Sequence, residues 1–136
     1  MKVIDNFLEQ DKFNFFKKEI TGQYFPWYFN NQKVLDDNHL DNFQFVNIFK
    51  DGNSATPLLD IFKEKLNIDS FKRAKLNCTT RTSKIFEFKL HNDLDEDCKV
   101  SIFYINSNNG YTKFETGEKV ESVENRLITF DNKIKH

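Results

Sequence analysis

The chain has 136 residues, 20 basic against 21 acidic, and draws its 15 % aromatic content mostly from 16 phenylalanines beside a single tryptophan. That length fits one domain around one core, and the balanced charge excludes a dedicated polyanion binder with a basic stripe. Two cysteines, Cys78 and Cys98, exclude a disulfide framework. No apolar run reaches the roughly 20 residues that cross a bilayer, and no apolar signal-peptide core follows Met1. A soluble cytoplasmic protein with no membrane association is expected, in a host cytoplasm if the source is a phage.

The chain opens on a short strand. Asp11 is placed to cap a helix whose apolar positions Phe13, Phe16 and Ile20 recur at three and four, with Gly22 to stop it. Phe25-Pro26-Trp27-Tyr28-Phe29 reads as a short strand, the polar stretch from Asn30 to Asp41 as a loop carrying His39 at the surface, and Phe43 to Lys50 as a strand closed by a turn at Asp51-Gly52-Asn53. Thr56 as N-cap and Pro57 at the first helical position start a second helix, with Leu58, Leu59, Phe62 and Leu66 along one face. From Lys72 onward only strands and turns are expected: 72–78, 85–90, 99–105, 111–114, 118–120 and 127–130. Asn108-Asn109-Gly110 and Thr116-Gly117 are the clearest turns, the first being a good hairpin candidate. Short strands with turns at regular spacing point to a sandwich or barrel.

His91-Asn92-Asp93 places an imidazole and a carboxylate two residues apart. Residues i and i+2 of a strand point to the same face, so both can reach one ion. His136 follows after about four strands, and a rolled sheet can bring it opposite the pair. Two imidazoles and a carboxylate with open positions left over suit non-haem Fe(II). A His-x-Asp pair alone is a weak signal, and Asp93-Leu94-Asp95-Glu96-Asp97 reads equally well as a solvated turn. A zinc site joining Cys78, Cys98 and His91 is a weaker alternative, because the cysteines lack a Cys-x-x-Cys spacing.

Taken together, His91-x-Asp93, Lys99-Val-Ser-Ile-Phe-Tyr104, Gly110-Tyr-Thr112-Lys-Phe114, Val120 to Phe130 and His136 resemble the Fe(II)/2-oxoglutarate-dependent oxygenases of the prolyl-4-hydroxylase-like group. Phe25 to Phe29 and Arg73 to Asp93 are similar to small phage-type members. The resemblance implies an α+β, mainly β fold: a double-stranded β-helix, or jelly roll, with two helices of the N-terminal half packed on one sheet. Residues 1–69 would form a helical and irregular support, and 70–136 the core strands.

It further implies Fe(II) held by His91, Asp93 and His136, with 2-oxoglutarate as cosubstrate, and hydroxylation with release of succinate and CO2. Asn77 resembles the Asn of an Asn-x-Tyr motif, with Thr79 where the Tyr would stand. Tyr104 would donate to the cosubstrate or else be a core aromatic. Phe88 replaces a tyrosine common in the group. The group places an Arg or Lys after the distal histidine to pair with the far carboxylate. Arg73, Arg81 and Arg126 do not match that place, and no residue follows His136. The expectation is therefore an oxygenase cut short by its last strand or strands, weak or inactive, with an open edge that permits self-association. The acidic loops at 30–41 and 94–97 favour a peptide or protein side chain, or a small molecule, over nucleic acid as substrate. The competing reading is a jelly-roll binding or structural module without chemistry.

Overall fold

A computed structural model describes residues 1–35, 37–51 and 56–136. In chain order it contains β1 (Lys2–Ile4), α1 (Gln10–Thr21), β2 (Tyr28–Asn30), β3 (Gln44–Asp51), a 3-10 turn over Pro57–Leu59, α2 (Asp60–Leu66), β4 (Arg73–Cys78), β5 (Lys99–Tyr104), β6 (Tyr111–Lys113), β7 (Lys119–Glu121) and β8 (Arg126–Asp131). The fold is α+β and mainly β, with antiparallel pairing throughout these strands. Gly52 and Asn53 of the expected turn lie outside the described residues. Among the described residues no helix is long and apolar enough to cross a membrane.

The chain forms two compact units, one of residues 1–13 with 84–136 and one of residues 14–83. In the second unit the sheet order is β2-β3-β4. β4, grouped by sequence with the later strands, pairs here with β3. Phe16 of α1 meets Phe62 of α2 at 5.1 Å and Phe49 of β3 at 6.3 Å, both edge to face. The spacing of Phe13, Phe16 and Ile20 holds, since all three are buried. The cap does not: α1 begins at Gln10, with Phe13 N–H donating to the Glu9 carbonyl, so Asp11 lies in the first turn. Thr56 makes no side-chain cap bond, because Pro57 opens a tighter 3-10 turn before α2. The loop before β3 is organised by buried Asn42, which accepts from Lys33 and Val34 N–H and donates to the Val34 and Asp37 carbonyls.

In the first unit β8 is the central strand of the sheet β1-β8-β5. Its side chains alternate between two faces, as a strand's must. Ile128 and Phe130 are buried with Phe114 and Val120, flanked by Val100, Ile102, Tyr104 and Ile134. Leu127 stands opposite Phe103, whose ring meets Phe7 and Phe13 edge-on at 6.0 Å each. Buried Asn125, at φ 59°, closes the approach to β8. Its side chain donates to the Leu8 carbonyl and accepts from Leu8 N–H, so it imitates a strand partner for the N-terminal segment.

Two expectations change. Residues 85–90 do not form a strand. The alternation is there, with Phe86 and Phe88 half-buried between exposed Ile85, Glu87 and Lys89, but alternation alone does not make a strand. Asn108-Asn109-Gly110 is not a hairpin turn. The Asn108 carboxamide accepts from Gly110 N–H at 2.7 Å in a local Asx turn, and a Cβ on residue 110 would press against that oxygen at 2.8 Å. The segment then continues the β6–β7 ladder through Ser122, which exchanges backbone bonds with Asn108 and Gly110. The β6–β7 hairpin itself turns at Thr116-Gly117. There Gly117, at φ 87°, donates to the Phe114 carbonyl at 2.8 Å, the left-handed position that glycine occupies without strain.

Candidate metal centre

His91 and His136 exchange backbone hydrogen bonds, N–H to O of 2.9 Å in one direction and 3.0 Å in the other. Such a pair holds two residues directly opposite each other with both side chains on one face. The spacing of the two imidazoles is therefore a backbone property. The next residue back, Lys135, accepts from Glu115 N–H at 2.9 Å, so the segment 134–136 is held between residue 91 and the β6–β7 turn.

The carboxylate is positioned by a clamp of two asparagines. Asn92 donates from its side chain to the Asn132 carbonyl. Asn132 donates in turn to the carbonyls of Leu94 and Glu96, and its N–H bonds the Cys98 carbonyl at 3.1 Å. The acidic loop after Asp93 is thus tied through its backbone to the turn that leads to His136. Asn132 is buried, and nothing in the polar run Asp131-Asn132-Lys133 distinguishes it from an ordinary turn residue. Only tertiary partners reveal the role.

One ligand atom each from His91, Asp93 and His136 lies within 4.8 Å of the other two, and among the described residues this is the one group of three ligand-type side chains so gathered. It contains neither Cys78 nor Cys98, as the weaker zinc alternative would require. His136 Nε2 stands 3.4 Å from Asp93 Oδ2, with the two side chains 7 % and 22 % exposed. Ligands about 2.1 Å from a divalent ion stand about 3 to 3.4 Å from one another, so this spacing suits two positions on one ion. The imidazole of His136 is packed on the aromatic core, 4.7 Å from the Phe130 ring and 6.3 Å from Phe114, and lies 5.2 Å from the His91 ring. His91 Nδ1 is 3.4 Å from the Lys89 carbonyl, which directs its Nε2 away from the backbone.

Nδ1 of His136 is buried and has no protein hydrogen-bond partner. A buried polar atom left unpaired costs free energy, and such costs collect at functional sites. The donor set and the 3.4 Å spacing fit a divalent ion bound through Nε2; Nδ1, the other nitrogen of the same ring, does not face Asp93 and carries no part of that fit.

A cleft of about 260 Å³ adjoins the pair and is lined by His91, His136, Thr112, Lys113 and Glu87 among others. Tyr104 reaches it indirectly: packed against the core, its hydroxyl bonds Thr112 Oγ1 at 2.7 Å, and burial raises its pKa. Asn77 belongs to the second unit, where it is exposed on β4 opposite Val46. At one wall of the cleft, Glu87 accepts from Lys113 Nζ at 2.6 Å, Tyr111 hydroxyl at 2.5 Å and Lys119 Nζ at 2.9 Å.

Those donors, Lys113 first, hold the Glu87 carboxyl down at about 2. A depressed carboxylate pKa stabilises the fold fully above the unfolded value, near 4.5, and that contribution disappears as pH falls towards 2. Carbon-detected NMR should find Glu87 still ionised at pH 3.5. In Lys113→Met the carboxyl should titrate closer to an ordinary glutamate, and an unchanged midpoint would refute the ion pair.

No family model matches the chain, and comparison with curated proteins and with solved structures finds no match either.

Proposed function

We propose that this chain is a non-haem Fe(II)- and 2-oxoglutarate-dependent oxygenase of jelly-roll, double-stranded β-helix type, acting on a peptide or protein side chain or a small molecule. The observation that carries the reading is the convergence of His91, Asp93 and His136 from segments 43 residues apart in the chain, in a donor set suited to Fe(II). When bound, the ion and 2-oxoglutarate supply the activation of O2 and the conversion of a C–H to a C–OH, with release of succinate and CO2. The chain's own part is to hold the ligands and exclude water. The backbone pair fixes the two histidines, the Asn92–Asn132 clamp fixes the aspartate, and the Phe114–Phe130 wall dries one side. Tyr104 sets the orientation of Thr112 at the cleft.

The second reading is a jelly-roll binding or structural module. The 3.4 Å contact of His136 with Asp93 favours it, because the pair already satisfies part of its polar surface without an ion. Anaerobic Fe(II) titration separates the two. The oxygenase reading expects a weak visible charge-transfer band only when Fe(II) and 2-oxoglutarate are both present, and succinate on admission of O2. Absence of both signals selects the module.

A further inference from the structure

The sheet of the second unit ends at β2, and β2 exposes large side chains on both of its faces. Tyr28 and Phe29 are consecutive, so they point to opposite faces, yet they are 62 % and 64 % exposed. On one face Phe29 stands opposite Phe45, with its ring 5.9 Å from the Phe45 ring and 5.9 Å from the Phe43 ring. On the other, Tyr28 stands opposite Val46, and Ile48, two residues further along β3, is 56 % exposed. The edge strand of a self-sufficient sheet is guarded by charge, proline, a bulge or a covering loop. Here no charged residue stands from Ile20 to Gln32, in a chain that is 30 % charged, and Pro26 lies outside the three paired residues.

A ligand resting on one face of this sheet would cover either Tyr28 or Phe29. An added strand covers both, because its own side chains alternate between the faces. We infer that β2 is a homodimerisation edge, on which β2 of a second copy of this chain docks antiparallel about a two-fold axis. Pairing centred on Phe29 sets that ring against Phe29 of the second copy, and Tyr28 against its Asn30. A two-fold axis brings every charge near it close to its own image, so a neutral segment is what a self-pairing edge requires. A partner selected by opposite charge finds nothing to match between Ile20 and Gln32. The two three-stranded sheets then become one continuous sheet. The inference is independent of His91, Asp93 and His136, which lie outside the unit of residues 14–83.

The test is sedimentation equilibrium from about 1 µM to 1 mM, where the mass should rise from 16.2 kDa towards twice that value. Phe29→Lys should weaken association at least about tenfold, since it sets two ammonium groups against each other at the axis. Tyr28→Lys should weaken it from the opposite face, leaving the Phe43 and Phe45 contacts in place. Phe15→Lys, which charges an exposed ring on α1, should change nothing. Circular dichroism checks that each variant is folded. Weakening by either folded β2 variant, with Phe15→Lys unaffected, supports the inference. A chain that stays at 16.2 kDa throughout overturns it, as does association that survives both β2 variants or is lost equally in Phe15→Lys.

Discussion

Replacement of His136 by alanine is expected to lower the affinity for a divalent ion by about 100-fold or more, the share of binding free energy that one of three protein ligands supplies. His91→Ala should do the same, and Asp93→Asn should weaken binding without changing side-chain size. The fold should survive in each case. His91 and His136 are joined through backbone N–H and C=O groups, which alanine retains. Co(II) absorption, whose intensity reports coordination number, and Mn(II) calorimetry measure the loss, with circular dichroism as the check on folding. The comparison is sharpest at His136, because its ring is also a wall of the core beside Phe130. A purely structural histidine there would be replaced by leucine with a gain in stability, since the unpaired buried Nδ1 disappears. Equal affinity in all three variants and wild type would remove the metal centre altogether.

The second large effect lies immediately behind the site. Phe130 is 2 % exposed, meets Phe114 edge to face at 5.0 Å and supports the His136 ring at 4.7 Å. Phe130→Ala should destabilise the protein by about 3–5 kcal/mol, from lost transfer free energy and the cavity left on the central strand. Such a loss is a large part of the roughly 5–15 kcal/mol that holds a domain folded. Phe15→Ala is the contrast: that ring is 53 % exposed on α1, and its removal should stay within about 0.5 kcal/mol. Urea titration followed by far-ultraviolet circular dichroism gives both values. A loss below about 1 kcal/mol at Phe130 would mean that the aromatic wall is not the support described. Metal affinity should also fall in Phe130→Ala, though by less than in His136→Ala, because the ligand remains and only its backing is gone.

Strands β5, β6, β7 and β8 were readable in the sequence because each couples a period-two pattern to a turn with its own chemistry, most plainly at Thr116-Gly117. The His91, Asp93 and His136 gathering was readable from residue type, and the i, i+2 spacing correctly put two of them together. What failed depends on partners far away in the chain. Residues 85–90 alternate like a strand yet do not form one, while His91 exchanges a pair of backbone bonds with His136. Asn108-Asn109-Gly110 has hairpin composition, but the Asn108 side chain bonds locally and sends the chain into an existing ribbon. Asn42, Asn125 and Asn132 organise three loops and carry no sequence signal, since an asparagine that binds buried backbone looks the same on paper as one in solvent. The Glu87 group was missed for a related reason: its members, Glu87, Tyr111, Lys113 and Lys119, meet only when the hairpin folds against residues 85–90.

The pairing of β1 with β8 and the fork of Arg126 on Asp5, whose carboxylate is reached across 121 positions of chain, have a consequence for synthesis. Contacts of such high sequence separation form late, because the intervening chain must be confined before they return any free energy. On a ribosome, residues 14–83 emerge with their own sheet and helices complete, while the first unit waits for β8 and the segment beyond it. His91, Asp93 and His136 would therefore come together only after β8 and the segment beyond it have emerged. A chain stalled before residue 126 would expose β1 and β5 as unpaired edges, the form in which this protein is most open to aggregation and proteolysis.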